Sequence, residues 1–130
     1  MSKVSSPMHY VKRYQATGDG ESQWTPNTDA YLTDSGLVIK VELSGMRKED
    51  LQLVIEGNKV KITGHRPDGC RAPKCKFLVM EINYGSFETV IELNDGFDLA
   101  GAKASYQNGF LRIDVPFLKG AESESLGNSH

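Results

Sequence analysis

The sequence lacks the features that mark secreted and membrane proteins. Its 130 residues include only two cysteines, too few for a disulfide scaffold, and no Asn-x-Ser/Thr glycosylation site occurs. The first residues carry no apolar stretch like that of a secretory signal, and no apolar run is long enough to span a bilayer. These absences predict a cytoplasmic protein with no membrane partner, in which both cysteines stay as thiols.

The sequence also lacks a large excess of either positive or negative charge. Fifteen Lys and Arg stand against 17 Asp and Glu, for a net charge of −2, and neither sign is concentrated in a block. A nucleic-acid partner is therefore not expected, because such binding needs a basic patch. With 38% hydrophobic residues, the chain has enough apolar material for one compact domain and is not typical of a disordered protein.

Residues for catalysis and cofactor binding are few. Of three histidines, only His65 lies in a segment predicted to be ordered, and no complete dinucleotide loop or Gly-Lys-Ser/Thr phosphate loop occurs. His65, Cys70 and Cys75 together supply three candidate zinc ligands, whereas a structural zinc site needs four. We therefore expect no enzyme activity, no metal and no cofactor.

The sequence does contain short runs in which apolar and polar residues alternate. The first run puts Leu37, Ile39, Val41 and Leu43 on one face, which is the periodicity of a strand with one buried side. Four later runs repeat the pattern with the apolar residues Leu51, Leu53, Ile55, then Val60, Ile62, then Phe87, Ile91, Leu93, and finally Leu111, Ile113, Val115.

Turn residues separate these runs. Gly57 and Asn58 lie between the second and third runs, and Asn108 and Gly109 precede the last. Asn-Gly accepts the positive φ angles of a type I′ turn, which favours antiparallel hairpins. Short antiparallel strands with one apolar face bury that face by stacking two sheets, so the sequence predicts an all-β antiparallel sandwich. Residues 44–50 are predicted to form a loop or a single helical turn.

The connection over residues 64–85 is too long for a simple turn. Its second half is apolar on both faces, more than a single core can bury. We predict that residues 77–81 form a strand that crosses to a second chain and pairs with an exposed sheet edge, giving a homodimer. The alternative is a partly solvated hairpin folded back on its own domain.

The two cysteines, Cys70 and Cys75, lie in this same connection. The simpler expectation is a pair of free thiols without a role. The sharper hypothesis is a redox pair, in which oxidation links the two residues within or between chains and stiffens the loop.

Three stretches, in order along the chain, resemble one known family. Residues 42–51 read Glu-Leu-Ser-Gly-Met-Arg-Lys-Glu-Asp-Leu, residues 84–87 read Tyr-Gly-Ser-Phe, and residues 104–111 fit the pattern Ala-x-x-x-Asn-Gly-x-Leu. Together they are similar to the alpha-crystallin domain of the small heat-shock protein family, in its bacterial and plant form. The resemblance covers residues 24–116, most of the chain.

This resemblance implies an immunoglobulin-like β-sandwich and an ATP-independent molecular chaperone, a holdase that binds unfolding client proteins and prevents their aggregation. It also implies that the crossing strand pairs with the partner's first strand, here residues 28–33. The expected dimer interface then joins two sets of residues, Phe77, Leu78, Val79, Met80 and Glu81 from one chain and Asp29, Ala30, Tyr31 and Leu32 from the other.

Two regions are candidates for client contact. One is a groove between the strands matching residues 51–56 and 102–106, with the candidate residues Leu51, Leu53, Val54, Ala104 and Tyr106. The other is a flexible N-terminal arm over residues 1–23, which precedes the domain at residues 24–118 and its flexible tail at residues 119–130. The arm candidates are Met8, Tyr10, Val11, Tyr14 and the adjoining Trp24.

The sequence also departs from the family. No Ile-x-Ile tail motif follows Pro116, and Thr89 stands where many relatives have Arg. The assembly is therefore expected to be a homodimer, with a larger homo-oligomer left open. An alternative function is a co-chaperone-type sandwich that docks on one defined partner protein.

Overall fold

The computed structural model describes residues 11–14, 24–67, 69–70 and 75–119, except for the side chain of Tyr14. Within them the chain forms two four-stranded antiparallel sheets, which confirms the predicted all-β sandwich. The strands are β1 (Val11–Tyr14), β2 (Thr28–Leu32), β3 (Gly36–Glu42), β4 (Leu51–Glu56), β5 (Lys59–Arg66), β6 (Gly85–Leu93), β7 (Lys103–Gln107) and β8 (Phe110–Pro116).

The strand order is β1-β6-β5-β4 in one sheet and β2-β3-β8-β7 in the other. Each sheet therefore has two edge strands, β1 and β4 in the first and β2 and β7 in the second. Short 3-10 helices at Lys48–Asp50 and Leu99–Gly101 interrupt the strands, and the first is the single helical turn expected within residues 44–50. No helix among the described residues has the length and apolar character needed to cross a membrane.

The core lies between the two sheets and is filled by the residues that alternate in the sequence. Side chains on successive strand residues point to opposite faces, so each apolar run delivers every second side chain to the interior. Full burial of one such aliphatic or aromatic side chain stabilises the fold by about 1.5–3 kcal/mol. The most deeply buried of them are Ile39, Val41, Leu43, Val60, Ile62, Phe87, Ile91, Leu93, Ile113 and Val115.

The turn between β7 and β8 has the predicted conformation. Asn108 and Gly109 have φ angles of 54° and 83°, both positive as a type I′ turn requires. The hairpin closes with Gln107 opposite Phe110. The Asn-Gly pair thus fixes the register that sends Leu111, Ile113 and Val115 to the core.

The start of the domain differs from the prediction. Residues 11–14, expected in a flexible arm, form β1, which pairs with β6 from Val11 opposite Leu93 to Tyr14 opposite Val90. Val11 packs against the core, and the pairing satisfies backbone groups that β6 would otherwise expose at its edge. This four-residue strand has too short an alternation to be identified from sequence.

Trp24 is a core residue and not part of an exposed arm, which corrects its assignment as a client contact. Its side chain is only 8% exposed, and its ring lies 5.1 Å from that of Phe87. The indole Nε1 donates a hydrogen bond of 3.0 Å to the carbonyl oxygen of Gly85. Of the other arm candidates, Met8 and Tyr10 lie outside the described residues.

Candidate interaction site

The segment of residues 77–82 is exposed and, apart from Glu81, apolar. Leu78 and Val79 are 86% and 73% exposed, and Phe77, Met80 and Ile82 are also exposed. The segment forms no strand with either sheet of its own chain. A crossing strand needs a second chain, so the pairing of residues 77–81 stays a prediction.

Arg66, at the end of β5, anchors the connection that carries this segment. Its Nε donates to the carbonyl oxygen of Asn83 and its Nη1 to that of Ser44, each at 2.8 Å. The guanidinium also lies over the Trp24 ring, 4.4 Å from the ring centroid. Because Trp24 in turn holds Gly85, both ends of the connection are fixed to the sandwich. Sequence reasoning missed this anchor, since the acceptors are backbone carbonyls that no motif marks.

A disulfide joins Cys70 and Cys75 inside the connection. Their Cα atoms lie 6.5 Å apart, within the range of native disulfides. The pairing corrects the expectation that both cysteines remain thiols. Phe77, the first residue of the exposed segment, follows Cys75 by two positions.

The open edge of β2 holds the other half of the predicted interface. On its inner side β2 pairs with β3, in the register from Thr28 opposite Val41 to Leu32 opposite Leu37. On its outer side no described strand pairs with β2. All four predicted edge residues, Asp29, Ala30, Tyr31 and Leu32, are exposed. Such an edge presents unpaired N–H and C=O groups to which a further strand can bond.

A groove of about 460 Å³ opens beside this edge, between β1 and β2. It lies over the core at the end of the sandwich where the two edge strands face each other. The residues that line it are mostly apolar, with one cation from β1: Val11, Arg13, Thr28, Ala30, Tyr31, Leu32, Leu37, Ile91 and Phe97.

The edge strands β4 and β7, at the other ends of the two sheets, carry the candidate groove residues. Leu51, Leu53 and Tyr106 are partly buried and pack against the core, while Ala104 is exposed. The Tyr106 hydroxyl donates to the carbonyl oxygens of Leu43 and Met46. Tyr106 therefore fixes the loop after β3 and has its polar group satisfied.

The neighbouring residues Val54 and Ile55 on β4 point to opposite faces of the sheet. Val54 pairs with Lys61 and points to the face opposite that of Leu53. Ile55 shares the inner face of Leu51 and Leu53 and is 41% exposed, so it is an apolar side chain available at this edge. Its position in the alternating run of β4 was the signal that could have added it to the candidate residues.

Three ion pairs occur among the described residues, Arg47–Asp50, Lys61–Glu88 and Arg112–Asp114. No group of three or more His, Cys, Asp or Glu side chains in the described ranges could hold a metal ion. Arg47 Nη2 lies 3.3 Å from Asp50 Oδ1. Hydrogen bonds from the Arg47 side chain and backbone hold the pKa of Asp50 below its ordinary value.

The sandwich matches a known protein family over most of the chain. Residues 29–126 match the family model described as Hsp20/alpha crystallin family. The chain belongs to the Hsp20/alpha crystallin family. The match confirms the resemblance to the small heat-shock protein family that was noted in the sequence.

Relatives of this Hsp20/alpha crystallin chain occur in bacteria and plants. It is 30% identical to small heat shock protein C2 of Rickettsia felis over 96 residues, which cover 74% of this chain and 62% of that protein. It is 32% identical to the 17.8 kDa class I heat shock protein of Solanum lycopersicum over 106 residues, covering 79% and 69%. Against the Rickettsia felis protein and spore protein SP21 of Stigmatella aurantiaca, the chain spans about three fifths of the relative's length, 62% and 60%.

Solved structures of the family share the fold. The hspA protein from Xanthomonas axonopodis superimposes with a TM-score of 0.67 at 27% identity, covering 74% of this chain and 96% of that one. A small heat-shock protein from Xylella fastidiosa, described as having a distinct high order structure, gives 0.68 at 28% identity, covering 74% and 88%.

In this alpha-crystallin domain, two of the three family-like stretches contact each other, residues 42–51 and residues 104–111. The Leu43 N–H donates to the carbonyl oxygen of Gly109 at 2.7 Å, which joins residues 42–51 to the Asn-Gly turn. A Cβ atom at Gly109 would lie 3.0 Å from that of Ser44, on a residue whose φ is already positive. The glycine of the pattern is therefore required by both its backbone angle and its close approach to Ser44.

Proposed function

We propose that this chain is an ATP-independent chaperone, a holdase that binds unfolding proteins and keeps them from aggregating, and that it works as a strand-exchanged homodimer. The observation that carries the proposal is the presence, in one chain, of the exposed segment at residues 77–82 and of a β2 edge with which no described strand pairs. A cytoplasmic setting, expected from the sequence, is part of the proposal and is tested by cell fractionation.

Strand exchange would satisfy both exposed features at once. Residues 77–81 of one chain, laid along the outer edge of β2 in another, would bond to its free backbone groups. Because residues of a strand alternate in direction, one set of apolar side chains would cover the groove between β1 and β2. The other set would meet the outer face, where Tyr31 is exposed. Apolar burial of this kind favours association by about 25 cal/mol per Å².

Client capture would use the same physical force and needs no nucleotide. Unfolding proteins expose apolar surface, and a chaperone that binds them depletes the species that aggregates. The exposed inner face of β4 at Ile55 and the nearby Leu51 and Leu53 offer apolar contact in the folded chain. The arm residues Met8 and Tyr10 are further candidates from sequence alone.

The test of the holdase is light scattering from a heated model substrate in the absence of ATP. We expect the purified chain to suppress scattering at near-stoichiometric ratios, whereas an equal mass of an unrelated stable protein does not. Unchanged scattering at an excess of the chain would contradict the proposal. A single stoichiometric complex with one folded protein, in place of general suppression, would support the co-chaperone alternative.

A further inference from the structure

The disulfide lies between the anchored root of the connection and its exposed apolar segment. At the root, Arg66 binds the carbonyl oxygen of Asn83. Four positions beyond Arg66, Cys70 is joined to Cys75, and two positions further the exposed segment begins at Phe77. The bond therefore shortens the free stretch of chain between Arg66 and the start of the segment, whereas the hydrogen bond at Asn83 does not involve the cysteines.

We propose that Cys70 and Cys75 form a reversible redox switch that controls homodimer formation, with the oxidised pair favouring the dimer. The proposal rests on the strand-exchanged dimer described above. It adds a regulatory site to that interface, located in the connecting loop and outside the residues that pair.

The physical basis is the conformational entropy of the segment. Pairing with a second chain fixes the backbone of residues 77–81, and the freedom lost on ordering opposes association. A cross-link two residues before the segment removes part of that freedom in advance. For a ring as small as the one closed by Cys70 and Cys75, we expect the dimer dissociation constant to fall on the order of tenfold.

The chemistry needs two thiols and a two-electron oxidant such as hydrogen peroxide. The thiolate of Cys75, the more exposed of the two, attacks one peroxide oxygen, giving a sulfenic acid and, after proton uptake, one water. The thiolate of Cys70 then attacks that sulfur, the S–O bond breaks, and the departing hydroxide takes up a proton to leave as a second water. A dithiol reductant reverses the step by becoming a disulfide itself while both cysteines regain their hydrogens.

The neighbouring sequence favours this reaction. Lys76 follows Cys75 directly in the chain and supplies a cation beside it. Positive charge near a cysteine favours the thiolate, which is the form that attacks peroxide and disulfides. The exposed Cys75 is also accessible to a small oxidant.

The test is sedimentation equilibrium of the full chain after treatment with dithiothreitol or hydrogen peroxide. We expect the oxidised chain to dimerise about tenfold more tightly than the reduced chain. The double variant C70S/C75S should match the reduced chain under both treatments. Since peroxide also oxidises methionine, the peroxide-treated double variant reports any contribution from the exposed Met80.

The other outcomes separate the switch from the proposed function. Dimers of equal or weaker affinity after oxidation would overturn the switch and leave the strand-exchanged dimer standing. A monomer in both redox states would overturn both proposals. A covalently cross-linked dimer on non-reducing electrophoresis would also overturn the switch, because the proposed switch is a disulfide between Cys70 and Cys75 of the same chain.

Discussion

The Arg66 Nε donates a hydrogen bond of 2.8 Å to the carbonyl oxygen of Asn83, 17 positions along the chain. A second bond reaches Ser44, and the guanidinium lies over Trp24. One side chain thus links the two ends of the long connection to the loop after β3 and to the core. The apolar segment at residues 77–82 leaves the sandwich from a fixed root, which determines where on the surface it can meet another chain.

Arg66→Ala should lower the free energy of unfolding by about 2 kcal/mol, because it removes two charge-assisted hydrogen bonds and a cation–π contact. Urea unfolding followed by circular dichroism gives the value. Arg112→Ala is the matched control, since among the described residues its ion pair is with Asp114 at the surface, and it should change stability by less than about 1 kcal/mol. Equal effects of the two substitutions would contradict the anchoring role of Arg66.

Phe77→Asp should weaken the homodimer on the order of 100-fold, because a carboxylate would be buried where an apolar side chain docks. Analytical ultracentrifugation measures the change. Leu118→Asp is the control, because Leu118 is 45% exposed against 44% for Phe77 and lies outside the predicted interface. A dimer that survives Phe77→Asp, or is equally lost in Leu118→Asp, contradicts the strand-exchange model.

Thr89→Val should raise the free energy of unfolding by about 1 kcal/mol. Thr89 is fully buried, and its hydroxyl has no hydrogen-bond partner among the residues that the structure describes. Valine has nearly the same shape and removes the unsatisfied polar group. Thr89→Ser keeps the hydroxyl and loses a methyl group, so it should be destabilising. A lower unfolding temperature for Thr89→Val than for the parent chain would contradict the prediction and show that the Thr89 hydroxyl is hydrogen-bonded.

The carboxyl group of Asp50 should titrate below the ordinary pKa of an aspartate, near 3.9, because Arg47 stabilises its charged form. A lowered pKa in the folded state means that the pair contributes stability above the unfolded pKa and loses it as the pH falls through the folded pKa. NMR titration of the Asp50 side-chain carbon measures the midpoint directly. In Arg47→Ala the midpoint should return toward 3.9, and an unshifted midpoint in the parent chain would contradict the pairing.

The strands β3, β4, β5, β6 and β8 could be predicted because each carries an apolar alternation long enough to define a face. The Asn-Gly turn before β8 was equally predictable, since Asn108 and Gly109 adopt the positive φ angles that their residue types allow. In these segments local preference and tertiary packing agree, which is the condition under which sequence patterns predict structure.

The remaining features depend on contacts between distant parts of the chain. The strand β1 has four residues and exists through its pairing with the edge of β6. Trp24 has an ordinary loop sequence around it, and its burial follows from the Phe87 ring and the Gly85 carbonyl. Of the candidate site, the exposed segment was identifiable from its apolar pattern and the β2 edge from the family resemblance, whereas the anchor at Arg66 was identifiable from neither.

Cross-linking between two distinguishable copies tests the central claim most directly. A photoreactive residue in place of Val79 is introduced into an isotopically heavy chain, which is mixed with light chain, irradiated and digested for mass spectrometry. The account predicts links from the heavy peptide containing residue 79 to the light peptide containing residues 28–32. Links confined to peptides of one isotope composition, or a product that stays monomeric, would contradict it.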